Sequence, residues 1–121
     1  MNTPTSLLLS DDLLFTSRIT GTARSLGLEM KSAKSAAALV TLAATQAPSC
    51  VIVDLQNPGL DIPALVQNLK AKGPVTIVGY GSHVDTATLK AARDAGCDVV
   101  LPRSKFVENL ASDLPEWMAP K

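Results

Sequence analysis

The stretch CVIVDLQNP (residues 50–58) sets four residues suited to a buried strand directly before an acid, Asp54, and closes on a proline. An apolar strand has to stop somewhere, and aspartate is a common residue for stopping it. In an open parallel sheet, however, the carboxyl ends of the strands are where ligands and chemistry are placed. The meaning of Asp54 therefore depends on what else ends beside it.

Working outward, short apolar runs alternate with longer stretches of helical period, the pattern of a doubly wound sheet. SLLLS (6–10) is the first strand, and LLFTSRITGTARSLG (13–27) follows as a helix that Asp11 or Asp12 can cap, with Gly21 weakening its middle. A short second strand is expected over 28–32, then an alanine-rich helix over 35–47 closed by Pro48, then the third strand, 50–53. IPALVQNLKAKG (62–73) reads as a helix with Asp61 as its cap, Pro63 in its first turn and Gly73 as its stop. PVTIVGYG (74–81) and CDVVLP (97–102) supply strands four and five, separated by a helix over 85–95 that Gly96 ends. A last helix is expected over 104–114, ending before Pro115, with 115–121 as a C-terminal tail that carries the sole tryptophan.

This is a (βα)5 layout in one domain, residues 1–121. Right-handed crossovers make every strand parallel to its neighbours, so all the carboxyl ends open onto one edge. Ser10, Asp11 and Asp12 follow strand one, Asp54 follows strand three, Gly79 to Ser82 follow strand four, and Pro102, Arg103 and Lys105 follow strand five. Three acids and one or two bases thus share an edge. Oxygen ligands in that arrangement suit a small hard cation such as Mg²⁺.

Composition narrows the function classes. Eleven basic residues balance eleven acidic ones, so no long-range attraction to nucleic acid or to an anionic membrane is expected. Cys50 and Cys97 read as small buried residues, and with a single histidine and no CxxC they offer zinc no ligand set. The apolar run Leu7 to Leu9 is cut off by Asp11 and Asp12, so a soluble, cytoplasmic protein is the expectation. SDD after strand one and GYGSH after strand four lack the glycines of a dinucleotide site and the lysine of a P-loop. Asp61 reads as a helix cap, Asp98 as structural or solvated on the opposite edge, and His83 as a loop residue.

The order of elements, with SDDLLFTSR (10–18), DLQNPGLD (54–61) and AARDAGCDVVL (91–101), resembles the receiver domains of two-component response regulators across about Leu7 to Leu110. The resemblance implies a flavodoxin-like, CheY-like three-layer α/β sandwich with strand order 2-1-3-4-5. It also implies that Asp11, Asp12 and Asp54 hold Mg²⁺, and that Asp54 accepts a phosphoryl group from a histidine kinase. Two places depart from the family. Where its members carry a hydroxyl at the end of strand four, counting from Pro74 gives Gly79 and counting back from Gly96 gives Gly81, so the loop is lengthened and either Ser82 supplies a hydroxyl from it or nothing does. Where they carry Lys-Pro after strand five, this chain has LPRSKF (101–106), so either Arg103 or Lys105 takes the lysine's role. Two functions follow as expectations. The first is a stand-alone, atypical receiver in phosphorelay signalling that works through protein contacts, with no catalysis beyond its own phosphorylation and dephosphorylation. The second is a pseudo-receiver that binds a partner protein independently of phosphate.

Overall fold

The computed structural model describes residues 4–119. Along the chain it forms β1 (Thr5–Leu9), α1 (Leu13–Ser25), β2 (Glu29–Ala33), α2 (Ala36–Gln46), β3 (Cys50–Asp54), α3 (Ile62–Ala71), β4 (Thr76–Gly81), α4 (Thr86–Ala95), β5 (Val99–Pro102) and α5 (Arg103–Met118). The five strands are all parallel, in the order β2-β1-β3-β4-β5, with helices on both faces. This is the flavodoxin-like order.

Local chemistry sets the boundaries. Asp12, Ser35, Asp61 and Asp85 each accept a hydrogen bond from the amide three residues on, which opens α1, α2, α3 and α4. Gly96 closes α4 at φ 108°, a left-handed conformation, and a Cβ there would stand 3.3 Å from Val66 Cγ1.

Side chains alternate across the sheet, and the alternation divides the core in two. Leu7, Leu9, Val51, Val53 and Ile77 face α2, α3 and α4, meeting Leu39, Leu65, Leu69 and Leu89. Leu8, Cys50, Ile52, Val78 and Tyr80 face α1 and α5, meeting Ile19, Ala23, Phe106, Leu110 and Leu114. β2 lies on the outer edge with only Ala33 buried, so it carries the weakest apolar signal of the five strands.

The last helix corrects an expectation. It begins at Arg103 and runs through Pro115 to Met118, instead of spanning 104–114. Residues 115–118, read as part of a tail, are therefore helical; Pro120 and Lys121 lie outside the described residues. A proline inside a helix costs about 3 kcal/mol. Here its ring is exposed, while Leu114 and Met118 are fully buried, each worth about 1.5–3 kcal/mol, and the Trp117 ring stacks on Phe106 at 5.9 Å. Packing outweighs the proline. The helix is also tied at its end: Ser49 Oγ donates to the Met118 carbonyl at 2.8 Å while the Ser49 amide donates to the Thr5 carbonyl at 2.9 Å.

Candidate functional site at the strand edge

Asp54 is the last residue of β3 and is only 3 % exposed. A carboxylate so enclosed needs donors, and it has two. The Gln56 amide donates to Oδ1 at 2.9 Å, a turn that follows directly from the chain leaving the strand, and Ser10 Oγ donates to Oδ2 at 3.1 Å. Leu9 pairs with Val53 and Asp54 with Tyr80, so Ser10, Asp54 and Tyr80 stand in one row across the sheet, on the face that meets α1 and α5.

Ser10 also joins the two acidic segments. Its Oγ accepts from the Asp12 amide at 3.2 Å, and Asp12 in turn caps α1 by accepting from the Phe15 amide at 3.1 Å. Asp11 is exposed on the rim. Among the described residues no three His, Cys, Asp or Glu side chains form a group of the kind that encloses a metal.

Tyr80 closes the row. It is fully buried, its ring 5.0 Å from that of Phe15 and 4.7 Å from that of Phe106, yet its hydroxyl makes no hydrogen bond among the described residues even though Ser10 is beside it. Burial raises the phenol well above its ordinary range, and the charge of Asp54 adds to the effect. Asp12 pushes in the same direction, while Ser10 and Arg103 oppose it. Both carboxylates and the guanidinium therefore act on one phenol.

Arg103, at the start of α5, lies over the Phe15 ring at 5.0 Å and near the Tyr80 ring at 5.9 Å. Lys105 is directed elsewhere: it is exposed, with its ammonium 3.6 Å from Glu108. Ser82, half-buried after β4, accepts from the Val84 amide at 3.3 Å. Gln56 Nε2 donates to Asp85 Oδ2 at 3.3 Å and so links the loop after β3 to the start of α4. Asp85 is held below its usual range by its bonds with Thr88.

No family model matches the sequence, and no curated protein sequence matches it at a significant level. Solved structures do. The receiver domain of NtrX from Brucella abortus superposes with a TM-score of 0.82 at 20% identity, over 96% of this chain and 99% of that one. The receiver domain of Francisella response regulator 1452 does so with a TM-score of 0.79 at 17% identity, over 95% and 96% of the two chains. A BeF3-activated DrrB receiver domain gives 0.80 at 14% identity, over 96% and 97%. This chain has the receiver-domain fold.

Within that receiver fold, Ser10, Asp12, Asp54 and Arg103 converge around Tyr80, with Asp11 at the rim, whereas Lys105 pairs with Glu108 on the outer surface of α5. Gly79, paired with Val53, has no hydroxyl to present, and a Cβ there would stand 3.1 Å from Leu55 Cδ2. Sequence reading passed over Ser10 as a site residue and left Tyr80 at the strand edge. The signal for both was parity: 8 and 10, 52 and 54, 78 and 80 keep one face. Asp61 and Asp98 behave as read. Asp61 caps α3, and Asp98 accepts from the Ile77 amide at 2.8 Å and from Lys70 Nζ at 2.9 Å on the opposite edge.

Proposed function

We propose that the chain is a signalling module of the response-regulator kind, in which Asp54 accepts a phosphoryl group from a histidine kinase and the result is passed on by protein contact. The observation that carries this reading is the setting of Asp54: an enclosed carboxylate at the carboxyl end of the central strand, joined through Ser10 to a second acidic segment, with a guanidinium near the ring of its neighbour Tyr80. In the transfer a carboxylate oxygen attacks phosphorus, the P–N bond of a phosphohistidine breaks, and an acyl phosphate forms.

The oxygen donors fit Mg²⁺. That ion takes one or two carboxylates and fills its remaining positions with water, so the lack of a three-acid cage does not count against it. Asp12 and Asp54, which both act on the Tyr80 phenol, would hold it with Asp11 at the rim, and when bound it would neutralise charge on the incoming phosphoryl group. Ser10 orients Asp54, and Arg103 supplies a fixed positive charge to phosphate oxygens. Ser82 is the nearest hydroxyl that follows β4 in the sequence.

A protein partner is supported by exposed apolar side chains at the same edge, Leu13 and Leu14 after β1 and Val84 after β4. Among the described residues no helix is long and apolar enough to cross a membrane.

A second reading, a pseudo-receiver independent of phosphate, is favoured by Gly79 and by the packed Tyr80 ring, which leave β4 nothing to swing inward. One experiment separates the two. With acetyl phosphate and Mg²⁺, mass spectrometry should find one phosphoryl group on the wild type and none on Asp54→Ala, and beryllofluoride should shift NMR signals at Ser10, Asp54, Ser82 and Arg103. Absence of both responses would leave the pseudo-receiver.

A further inference from the structure

A cavity of about 600 Å³ opens between α1, the loop after β4 and the start of α5. Asp54 is not on its walls. Gln56 is, so the cavity adjoins the acid without containing it. Two guanidiniums face it, Arg18 and Arg103, and neither forms an ion pair among the described residues. The Arg103 Nε is buried without a hydrogen-bond partner among the described residues, so this guanidinium has donor capacity left unmet.

Hydroxyls stand beside the guanidiniums. Ser82 and Ser104 both line the cavity, and Ser104 lies in the first turn of α5, a 16-residue helix that Pro102 leaves without a side-chain cap. An apolar part of the wall is formed by the Phe15 ring, on which Arg103 already rests, and Val107, and His83 lines the cavity as well. Glu108, the one acid on the wall, has Lys105 3.6 Å away to offset it.

We propose that this cavity binds a small phosphate monoester, its phosphate between Arg18 and Arg103 and its organic part against Phe15 and Val107. Two guanidiniums and two hydroxyls exceed what a carboxylate can use and match the three terminal oxygens of a phosphate. The volume is in the range of small-ligand sites, about 300–1,000 Å³, and too large for the bare anion. The site shares Arg103 and Ser82 with the phosphoryl site proposed at Asp54, but Asp54 is off its walls and binding does not rest on phosphorylation of that residue.

Phenyl phosphate is a suitable probe, titrated into ¹⁵N-labelled protein without Mg²⁺. Saturable shifts are expected at Phe15, Ser104 and Val107, with inorganic phosphate at least about tenfold weaker. Arg18 is exposed, so the fold tolerates Arg18→Gln, which should weaken binding about tenfold or more, while Asp54→Asn should leave it within about twofold. No saturation by about 10 mM, equal binding by Arg18→Gln, or equal binding of inorganic phosphate would overturn the proposal. So would a gain of about tenfold or more in Asp54→Asn, because removing that carboxylate relieves repulsion only of an anion seated in the neighbouring pocket. A negative phosphorylation experiment on Asp54 would leave these results unchanged.

Discussion

Replacing Tyr80 by Phe removes one oxygen and keeps the ring. In the folded chain that oxygen is buried and has no hydrogen-bond partner within bonding geometry among the described residues, although Ser10 is near and the charge of Asp54 acts on it. Losing the hydration of a hydroxyl without a replacement bond costs about 1–3 kcal/mol. Phe avoids that cost and retains both ring contacts, to Phe106 at 4.7 Å and to Phe15 at 5.0 Å. Against this stands the loss of a few dispersion contacts, a few tenths of a kcal/mol. The variant should therefore be more stable by about 1 kcal/mol, a rise in Tm of roughly 3–5 °C for a domain of this size. Urea denaturation followed by circular dichroism, in EDTA, should show the midpoint moving up by about 0.5–1 M with an unchanged slope.

The pH dependence provides a second readout. Because the phenol's folded pKa is raised, the folded chain keeps a proton that the unfolded chain loses, so this contribution is present below the ordinary tyrosine pKa of about 10 and is lost as pH rises above it. That alkaline loss should be smaller in Tyr80→Phe. A variant less stable than wild type would refute the reasoning and mean that Ser10 or a bound water holds the hydroxyl. Coupling between Tyr80→Phe and Ser10→Ala would tell which of the two it is.

Gly21 sits mid-helix in α1, exposed, with nothing within 4 Å of an added Cβ, so Gly21→Ala should stabilise the domain by about 0.5–1 kcal/mol in the same melt. Met118→Ala should cost about 2–4 kcal/mol, since it empties a fully buried position at the end of α5, and a cost under about 1 kcal/mol would mean that the turn after Pro115 frays in solution. Burial pushes the Cys97 thiol up to about 11, with Asp98 adding to it. Alkylation of Cys97 at pH 8 should therefore be at least tenfold slower in the native protein than in urea. The same shift removes stability as pH climbs from about 8.5, where the unfolded thiol ionises, toward 11.

What the sequence reveals depends on whether a feature is local. The caps Asp12, Ser35, Asp61 and Asp85 and the stop at Gly96 act within a few residues, so four helix starts and the parallel layout are readable without coordinates. β2 is harder to read because an edge strand has little apolar face to show. The end of α5 is misread because Pro115 is a local breaker overruled by distant packing of Leu114, Trp117 and Met118. In the site, spacing alone leaves Arg103 and Lys105 equivalent. They are separated by Phe15, a residue of the first helix whose ring the guanidinium covers. The Ser10–Asp54 bond spans 44 residues, and nothing near either residue announces it.

Ser49 binds the backbone of Thr5 with its amide and that of Met118 with its hydroxyl, so the first strand and the last helix meet at one residue. That meeting point lies at the amino ends of the strands, on the far side of the sheet from Asp54. A tether or fusion partner attached next to Thr5 or Met118 would start from the edge opposite Asp54 and leave the acidic edge open. The two ends could also be joined by a short loop and the chain reopened at an exposed position such as His83, a circular permutant that keeps every strand pairing.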